Sequence, residues 1–108
     1  MSEATFTVSL EPVGQREAIL RLSFGRPAST DEIVRDIAQA VSKLDLGSGF
    51  DAVWVNGPAP VAGSYVLAHV LAHVAGTVGV FDPKVGGYIV AISHGGLPVG
   101  QVVPGPQQ

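Results

Sequence analysis

The chain has 108 residues, a length that fits one domain with a single hydrophobic core. Hydrophobic residues make up 46% of it and charged residues only 14%, which is typical of an ordered protein with more apolar surface than one small core can hide. We therefore expect a homo-oligomer. The formal net charge of -3 argues against binding of duplex DNA, which requires a basic surface, but not against a short oligonucleotide held by backbone amides.

The absence of cysteine limits the chemistry that the chain can support. It excludes disulfide bonds and thiolate metal clusters, so any metal would need imidazole and oxygen ligands. The N-terminal sequence Met-Ser-Glu-Ala-Thr lacks the basic and then apolar order of a signal peptide, and no apolar run of membrane-spanning length is free of Gly, Pro or His. These features predict a cytoplasmic protein that binds no membrane.

The first half of the chain predicts two strands and a helix. Residues 5–10 alternate between polar and apolar, residues 18–24 form a second strand-like run, and the turn residues between them predict an antiparallel hairpin. Ser29 and Glu32 have the spacing of a capping box. The apolar residues that follow at helical spacing, which predict a helix with one buried face, are Ile33, Ile37, Val41 and Leu44.

A third strand, residues 52–55, runs directly into a loop rich in Gly and Pro, residues 56–60. Open α/β sheets bind ligands at such loops because free backbone amides converge there. The second helix, about Val61 to Ala75, is apolar on nearly every side and is predicted to end at Gly76. We expect it to be buried between the sheet and another element or subunit.

Two more strands, residues 78–81 and 88–92, are joined by a turn. The tail, about residues 95–108, is rich in Gly and Pro and has one short strand-like segment at residues 101–103. The predicted order is ββαβαββ, with one right-handed crossover that leads from the third strand through the second helix to the fourth strand. The fold class is therefore α/β, a single domain with a mixed sheet and two helices.

All three histidines lie in the C-terminal half of the chain. His69 and His73 are four residues apart on one face of the predicted helix, with Tyr65 one turn earlier, and a metal ion accepts this spacing. The pattern is weak evidence, because it lacks the glutamate of a zinc-protease helix. Two histidines in an apolar helix can equally form hydrogen bonds with the backbone or with a neighbouring subunit, and both interpretations stay open.

Asp82 follows a predicted strand and precedes Pro83, which is also how an ordinary Asx turn begins. Because the histidine helix leads into this strand, we expect Asp82 and the histidines to share one edge of the sheet. Imidazole and carboxylate together suit Mn²⁺, Zn²⁺ or a similar ion, and also general acid–base chemistry near pH 7. Ser93 and His94 end the next strand, where they could join this site, lie at the opposite edge or form ordinary surface.

The remaining sequence motifs rule out several functions but do not identify one. The segment Gly57–Pro60 could bind a phosphate group or simply turn the chain. The sequence has no Walker lysine and no GxGxxG, and it has neither GxSxG nor a Ser-His-acid pattern. Mononucleotide binding through those motifs and serine hydrolase chemistry are therefore not expected.

Several segments between Trp54 and Val103 together resemble a known family. They are Val55-Asn56-Gly57-Pro58-Ala59-Pro60, Leu-Ala-His, Val80-Phe81-Asp82-Pro83-Lys84-Val85-Gly86-Gly87, Ser93-His94 and Gly100-Gln101-Val102. This combination is similar to the small type III CRISPR-associated protein called Csx-three, the Crn-three ring nuclease and Mn²⁺-dependent deadenylase. The V-[FY]-D-P-x-x-G-G element and its spacing to the preceding histidine are the specific part.

The resemblance implies a CRISPR-associated Rossmann-like (CARF-like) domain over residues 1–108. It implies a homodimer, or a tetramer or filament with ligand, that binds cyclic tetra-adenylate. It also implies Mn²⁺-dependent cleavage that removes this second messenger or trims short oligoadenylate RNA in antiviral signalling. In that family a facing dimer brings catalytic residues to the bound ring, so ligand and active site can lie on opposite sides of a protomer.

Carried over to this sequence, the resemblance implies that His73 and Asp82 are the catalytic pair and that His69, His73 and Asp82 bind the metal. The Leu-Ala-His pattern occurs twice, ending at His69 and at His73, so either one can be the family histidine. The residues implied in ligand binding are Asn56, Gly57, Pro58, Lys84, Ser93 and His94. Two alternatives remain: a non-catalytic sensor of the same nucleotide, and an assembly protein whose second helix is an oligomer interface.

Overall fold

A computed structural model describes residues 4–106 as one six-stranded sheet with two helices. The strands are β1 (Phe6–Pro12), β2 (Glu17–Phe24), β3 (Phe50–Asn56), β4 (Ala75–Asp82), β5 (Gly87–Ser93) and β6 (Val102–Val103). The helices are α1 (Thr30–Ser42) and α2 (Val61–Ala72). The predicted α/β class with a mixed sheet and two helices is confirmed. Neither helix is long and apolar enough to cross a membrane.

The strands follow one another across the sheet in chain order, from β1 to β6. β2, β3 and β4 are parallel, whereas β1 and β5 pair antiparallel with their neighbours and β6 pairs antiparallel with β5. The predicted order ββαβαββ is thus incomplete, because it lacks β6 and counts one crossover where the structure has two. The strand order also never reverses, as it does in a Rossmann sheet, so the expected Rossmann-like topology is not matched.

Both crossovers advance across the sheet in the same direction, so connections of the usual hand place α1 and α2 on the same face. The core on this face joins the two helices to the sheet, and it consists mainly of Leu20, Leu22, Ile33, Ile37, Val41, Val53, Val55, Leu67, Leu71 and Val78. Gly63 lets the helices approach closely, since a Cβ at this position would lie 2.5 Å from Ile37 Cδ1. Helix packing therefore fixes α2 over the parallel strands.

The start of α1 differs from the predicted capping box. Ser29 is the N-cap residue, but its side chain caps no backbone N–H group. A hydrogen bond from Ser29 instead lowers the pKa of Asp31, with Arg35 adding a smaller effect in the same direction. The helix nevertheless buries the expected face, because Ile33, Ile37 and Val41 recur at helical spacing.

The opposite face of the sheet carries no helix from residues 4–106 and is organised by aromatic side chains. Trp54 and Tyr88 meet edge to face with ring centroids 5.5 Å apart, and Trp54 Nε1 donates a hydrogen bond to Glu17 at 2.9 Å. Gly79 makes this contact possible, because a Cβ there would lie 2.7 Å from Trp54 Cε3. Gly105 packs closely on the Tyr88 ring, so the chain after β6 covers part of this cluster.

The prediction that α2 extends to Ala75 and ends at Gly76 is wrong. The helix ends at Ala72 with His73 as C-cap, and β4 already begins at Ala75. Ala75 pairs with Phe50 of β3, and the Phe50 N–H group donates to the Val74 carbonyl oxygen at 2.7 Å. Pairing with β3 therefore draws this segment into the sheet.

Candidate functional site

The sequence-predicted site residues fall on two opposite edges of the sheet. The parallel strands β3 and β4 end at the same edge, called here the C-terminal edge, which carries Asn56, Gly57, Pro58, Asp82 and Lys84. The other edge, called here the histidine edge, carries the end of α2 and the end of β5, with His69, His73, Ser93 and His94.

The expectation that Asp82 shares an edge with the histidines is wrong. The C-terminus of α2 leads into the first residue of β4, whereas Asp82 is its last residue. Eight residues in extended conformation place the two ends of β4 about 23 Å apart. His73 and Asp82 of the same protomer therefore cannot contact one phosphate group.

The two helix histidines contact each other at the histidine edge. The rings of His69 and His73 meet edge to face with centroids 5.0 Å apart, and both residues are exposed. This arrangement makes either histidine accessible to a ligand that binds at this edge.

His94 has a more structural position at the same edge. Its Nε2 atom lies 2.9 Å from the carbonyl oxygen of Ala72, and because a carbonyl oxygen only accepts, this nitrogen carries the proton. The His94 backbone N–H group donates to the Gly76 carbonyl oxygen at 2.9 Å. His94 thus ties the end of β5 to the end of α2, and the preceding Ser93 pairs with Thr77 of β4.

The implied Mn²⁺ ligands are not assembled within one protomer. His69 and His73 supply two imidazoles, but Asp82 lies at the other edge. Within residues 4–106, no three His, Asp or Glu side chains are grouped closely enough to hold a metal ion. A three-ligand site of these residues would need a second copy of the chain.

At the C-terminal edge, Asp82 forms an Asx turn. Its Oδ1 atom accepts a hydrogen bond from the Lys84 backbone N–H group at 2.8 Å, and its carbonyl oxygen accepts one from Gly86 at 2.9 Å. The turn leaves Lys84 exposed. The end of the β4–β5 hairpin therefore carries a carboxylate that accepts a hydrogen bond within the turn and an exposed lysine.

Two residues beside Asn56 were not among the sequence-predicted site residues. Asn56 Nδ2 donates to the Tyr88 hydroxyl at 3.0 Å, and Arg21 lies next to Asn56 in the parallel β2–β3 register. Arg21 Nε is 2.9 Å from Glu11 Oε1. The alternation of β2 predicts that Arg21 shares a face with Ile19, but only the pairing of β2 with β3 shows that it adjoins Asn56.

The loop after β3 is held tightly against β2. Gly57 has φ of 126°, and a Cβ there would overlap the carbonyl oxygen of Leu22, so only glycine fits this position. The residues that follow, Pro58–Pro60, bring the first turn of α2 to the C-terminal edge. The loop therefore joins the helix start and the strand ends in one surface.

An apolar groove of about 390 Å³ lies beside this loop, between α2 and the sheet. Its walls include Leu22, Val55, Leu67, Leu71 and Ile92. It opens on the helix-bearing face, because α2 leaves part of β4 and β5 uncovered. The residues that line the groove can make apolar contacts with a ligand, and none of them is charged.

One comparison with known proteins gives a match. The family model described as CRISPR-associated protein (Cas_csx3) matches residues 36–104, which is 69 of the 108 residues. The matched region runs from within α1 past β6 and contains both edges described above. No curated protein matches the chain significantly.

Proposed function

The chain belongs to the Cas_csx3 family of CRISPR-associated proteins, and on that premise we propose that it is a ring nuclease. Its substrate would be cyclic tetra-adenylate or a short oligoadenylate RNA, and the reaction would be cleavage of a phosphodiester bond in type III CRISPR antiviral signalling. The observation that carries the proposal is the exposed, mutually contacting pair His69 and His73. Imidazole is the side chain best suited to move a proton near pH 7.

The proposed site is composed of two protomers. His73 and Asp82 lie at opposite ends of β4, so the histidine edge of one copy must face the C-terminal edge of another to reach the same phosphate. In this arrangement His73 accepts the proton of the attacking oxygen, from water or a ribose 2′-hydroxyl, as this oxygen bonds to phosphorus and the bond from phosphorus to the leaving 5′-oxygen breaks. His69, beside it, is placed to give a proton to the leaving oxygen. Asp82 of the other copy orients the imidazole and stabilises its charged form.

Substrate binding is assigned to the C-terminal edge. Lys84 supplies an exposed positive charge for a phosphate group, and Asn56 and the Gly57–Pro58 segment supply polar contacts for the nucleotide. Arg21 adjoins Asn56 on that side, where its guanidinium group pairs with Glu11. Lys84 stands at a position where the resembled family often has arginine, whereas the family's other arginine position, in the loop after Gly57, holds Pro58 or Ala59 here. Lys84 offsets the net charge of -3 only locally.

Mn²⁺ is part of the proposal as an ion shared between copies. Of the implied ligands, one protomer offers His69 and His73 at the histidine edge, and Asp82 of a second copy would complete the set. Such an ion would stabilise negative charge on the phosphate group. One protomer alone does not bring these ligands together. Proton transfer is therefore assigned to the histidine side chains and does not depend on the ion.

The test follows the fate of cyclic tetra-adenylate by chromatography, with and without Mn²⁺. Wild-type protein should degrade it, and His73→Ala and Asp82→Asn should each be inactive. Lys43→Ala, which changes an exposed lysine in the other half of the chain, is the matched control and should retain activity. Intact substrate with the wild-type protein would refute the enzymatic proposal.

Mixing the two inactive variants tests the composite site directly. In a symmetric dimer with two such sites, half of the dimers are mixed and one of their two sites is intact, so about a quarter of wild-type activity should return. A mixture that stays inactive, with both variants folded and able to exchange, would show that the site is not shared in this way.

A non-catalytic sensor of the same nucleotide is the second candidate. It is favoured by the Asx turn at Asp82, which gives this carboxylate a structural role, and by the absence of a three-ligand metal group from residues 4–106. Calorimetry would then show binding of cyclic tetra-adenylate, with Lys84→Ala weakening it, while the nucleotide remains intact over hours. The absence of binding would exclude the sensor.

A further inference from the structure

The hydroxyl group of Tyr88 is buried and takes no part in the proton transfer described above. Tyr88 is only 4% exposed, and a buried tyrosine hydroxyl normally has a hydrogen-bond partner because leaving it unpaired costs free energy. Here the partner is the side-chain amide of Asn56, whose Nδ2 atom donates to the hydroxyl at 3.0 Å. The two residues are 32 positions apart in the chain, so this bond connects a predicted ligand-binding residue to a distant part of the sheet.

The bond between Tyr88 and Asn56 crosses a strand. Asn56 ends β3 and Tyr88 lies on β5, and β4 runs between them. The tyrosine side chain can extend over β4 because Gly79 has no side chain in its path. A Cβ at Gly79 would lie 2.7 Å from Trp54 Cε3 and 3.3 Å from Tyr88 Cβ. Gly79 thus provides the space through which the Tyr88 hydroxyl reaches β3.

The ring of Tyr88 is packed on three sides. Trp54 meets it edge to face with centroids 5.5 Å apart, and Phe81 does so with centroids 5.3 Å apart. Gly105 covers a third side so closely that a Cβ there would overlap the ring. Close packing restricts a buried side chain to one conformation, so the position of the Tyr88 hydroxyl is fixed by its neighbours.

The Asn56 amide is half-buried at the C-terminal edge, directly before the loop that starts at Gly57. A primary amide has two N–H donors and one carbonyl acceptor. The bond to Tyr88 uses one N–H group, and the carbonyl oxygen and the second N–H group can bind a ligand. An acceptor beside a donor matches adenine, whose N6 amino group donates and whose N7 accepts, whereas guanine presents two acceptors, O6 and N7.

We propose that Tyr88 is a positioning residue that sets the base specificity of the site. Its hydroxyl holds the Asn56 amide in the orientation in which the carbonyl oxygen and the second N–H group bind N6 and N7 of an adenine base. Without this hydroxyl the amide can rotate and offer a donor to O6 of another purine. The inference rests on the proposed function, because it takes an adenylate as the ligand of the C-terminal edge, and it adds the residue that selects the base.

Binding of two linear RNAs, tetra-adenylate and tetra-inosinate, tests the base specificity. Inosinate carries hypoxanthine, in which a carbonyl oxygen replaces the N6 amino group of adenine. All proteins carry His73→Ala, so that the nucleotide stays intact during calorimetry. The parent should bind the adenylate on the order of 10- to 100-fold more tightly than the inosinate. Adding Tyr88→Phe should lower this ratio by about a factor of five or more, and an unchanged ratio would overturn the proposal.

Thr5→Val is the matched control. It also removes a buried hydroxyl that forms a hydrogen bond, in this case to Asp36 at 2.6 Å, but the bond connects to α1 and not to a predicted site residue. The control should lower the stability and leave the binding ratio as it is in the parent. If Thr5→Val reduced the ratio as much as Tyr88→Phe, the effect would come from lost stability, and the positioning role would be wrong.

NMR of the protein without nucleotide separates this inference from the proposed function. The side-chain amide of Asn56 should be rigid in the wild type, as measured by its heteronuclear NOE, and mobile in Tyr88→Phe. A mobile Asn56 amide in the wild type would overturn the positioning role, whatever the protein binds. A parent that binds neither RNA, with the amide held rigid, would instead refute the proposed function and the selection of adenine together.

Discussion

Gly57→Ala should destabilise the protein through two effects that add. At φ of 126° a residue with a Cβ is strained, which costs about 1–3 kcal/mol. The added Cβ also overlaps the carbonyl oxygen of Leu22, a backbone atom fixed within β2, so relieving the overlap costs another ~1–3 kcal/mol. The expected loss in free energy of unfolding is therefore about 2–6 kcal/mol, a large part of the stability of a small domain.

Gly95→Ala separates the two effects. Gly95 also has a positive φ, of 105°, but a Cβ there would meet nothing within 4 Å. Its loss should be about 1–3 kcal/mol, from strain alone. Urea unfolding followed by the fluorescence of the single tryptophan measures both variants. Equal losses would refute the conclusion that the close approach of the loop to β2 excludes a side chain at Gly57.

Tyr88→Phe removes the hydroxyl that accepts a hydrogen bond from Asn56 and should cost about 1 kcal/mol in urea unfolding, but less in an Asn56→Ala background; additive losses would contradict a direct bond. Thr5 donates its hydroxyl to Asp36 at 2.6 Å, which holds the pKa of that carboxyl below its ordinary value. Because the folded pKa is lowered, this bond stabilises the protein above about pH 4 and the contribution is lost as the pH falls through the folded pKa. The stability deficit of Thr5→Val should therefore be larger at pH 7 than at pH 2, and a deficit independent of pH would argue against the bond. Leu71→Ala, at a core position only 1% exposed, should cost about 2–5 kcal/mol in the same urea assay, and a loss below about 1 kcal/mol would show that the groove collapses to fill the space.

Local patterns in the sequence predicted most elements of the fold but not all of their ends. The alternation in β1 and the helical spacing in α1 each report burial of one face, and both elements formed as expected. Gly76 carried a misleading signal, because a glycine after an apolar helix looks the same whether it ends the helix or enters a strand. The pairing of Ala75 with Phe50 places this segment in a strand. The local sequence does not reveal this pairing, because the two residues are far apart in the chain.

The local sequence pattern also did not predict which strands are neighbours in the sheet. The run that forms β2 shows that its residues are buried, but not that the strand pairs in parallel with β3. Without that pairing, Arg21 cannot be placed beside Asn56. The division of His73 and Asp82 between two edges, by contrast, follows from topology alone. The end of a helix leads into the first residue of the next strand, and Asp82 is the last residue of that strand.

The outermost strands give the sheet a natural limit. β6 contributes only two paired residues before Pro104, and β1 ends in Glu11 and Pro12. Proline cannot donate to a further ladder, and a charged side chain on a border strand resists stacking with another chain. Growth of the sheet by edge-to-edge addition, the route to fibrils, is thus disfavoured at both borders of the sheet.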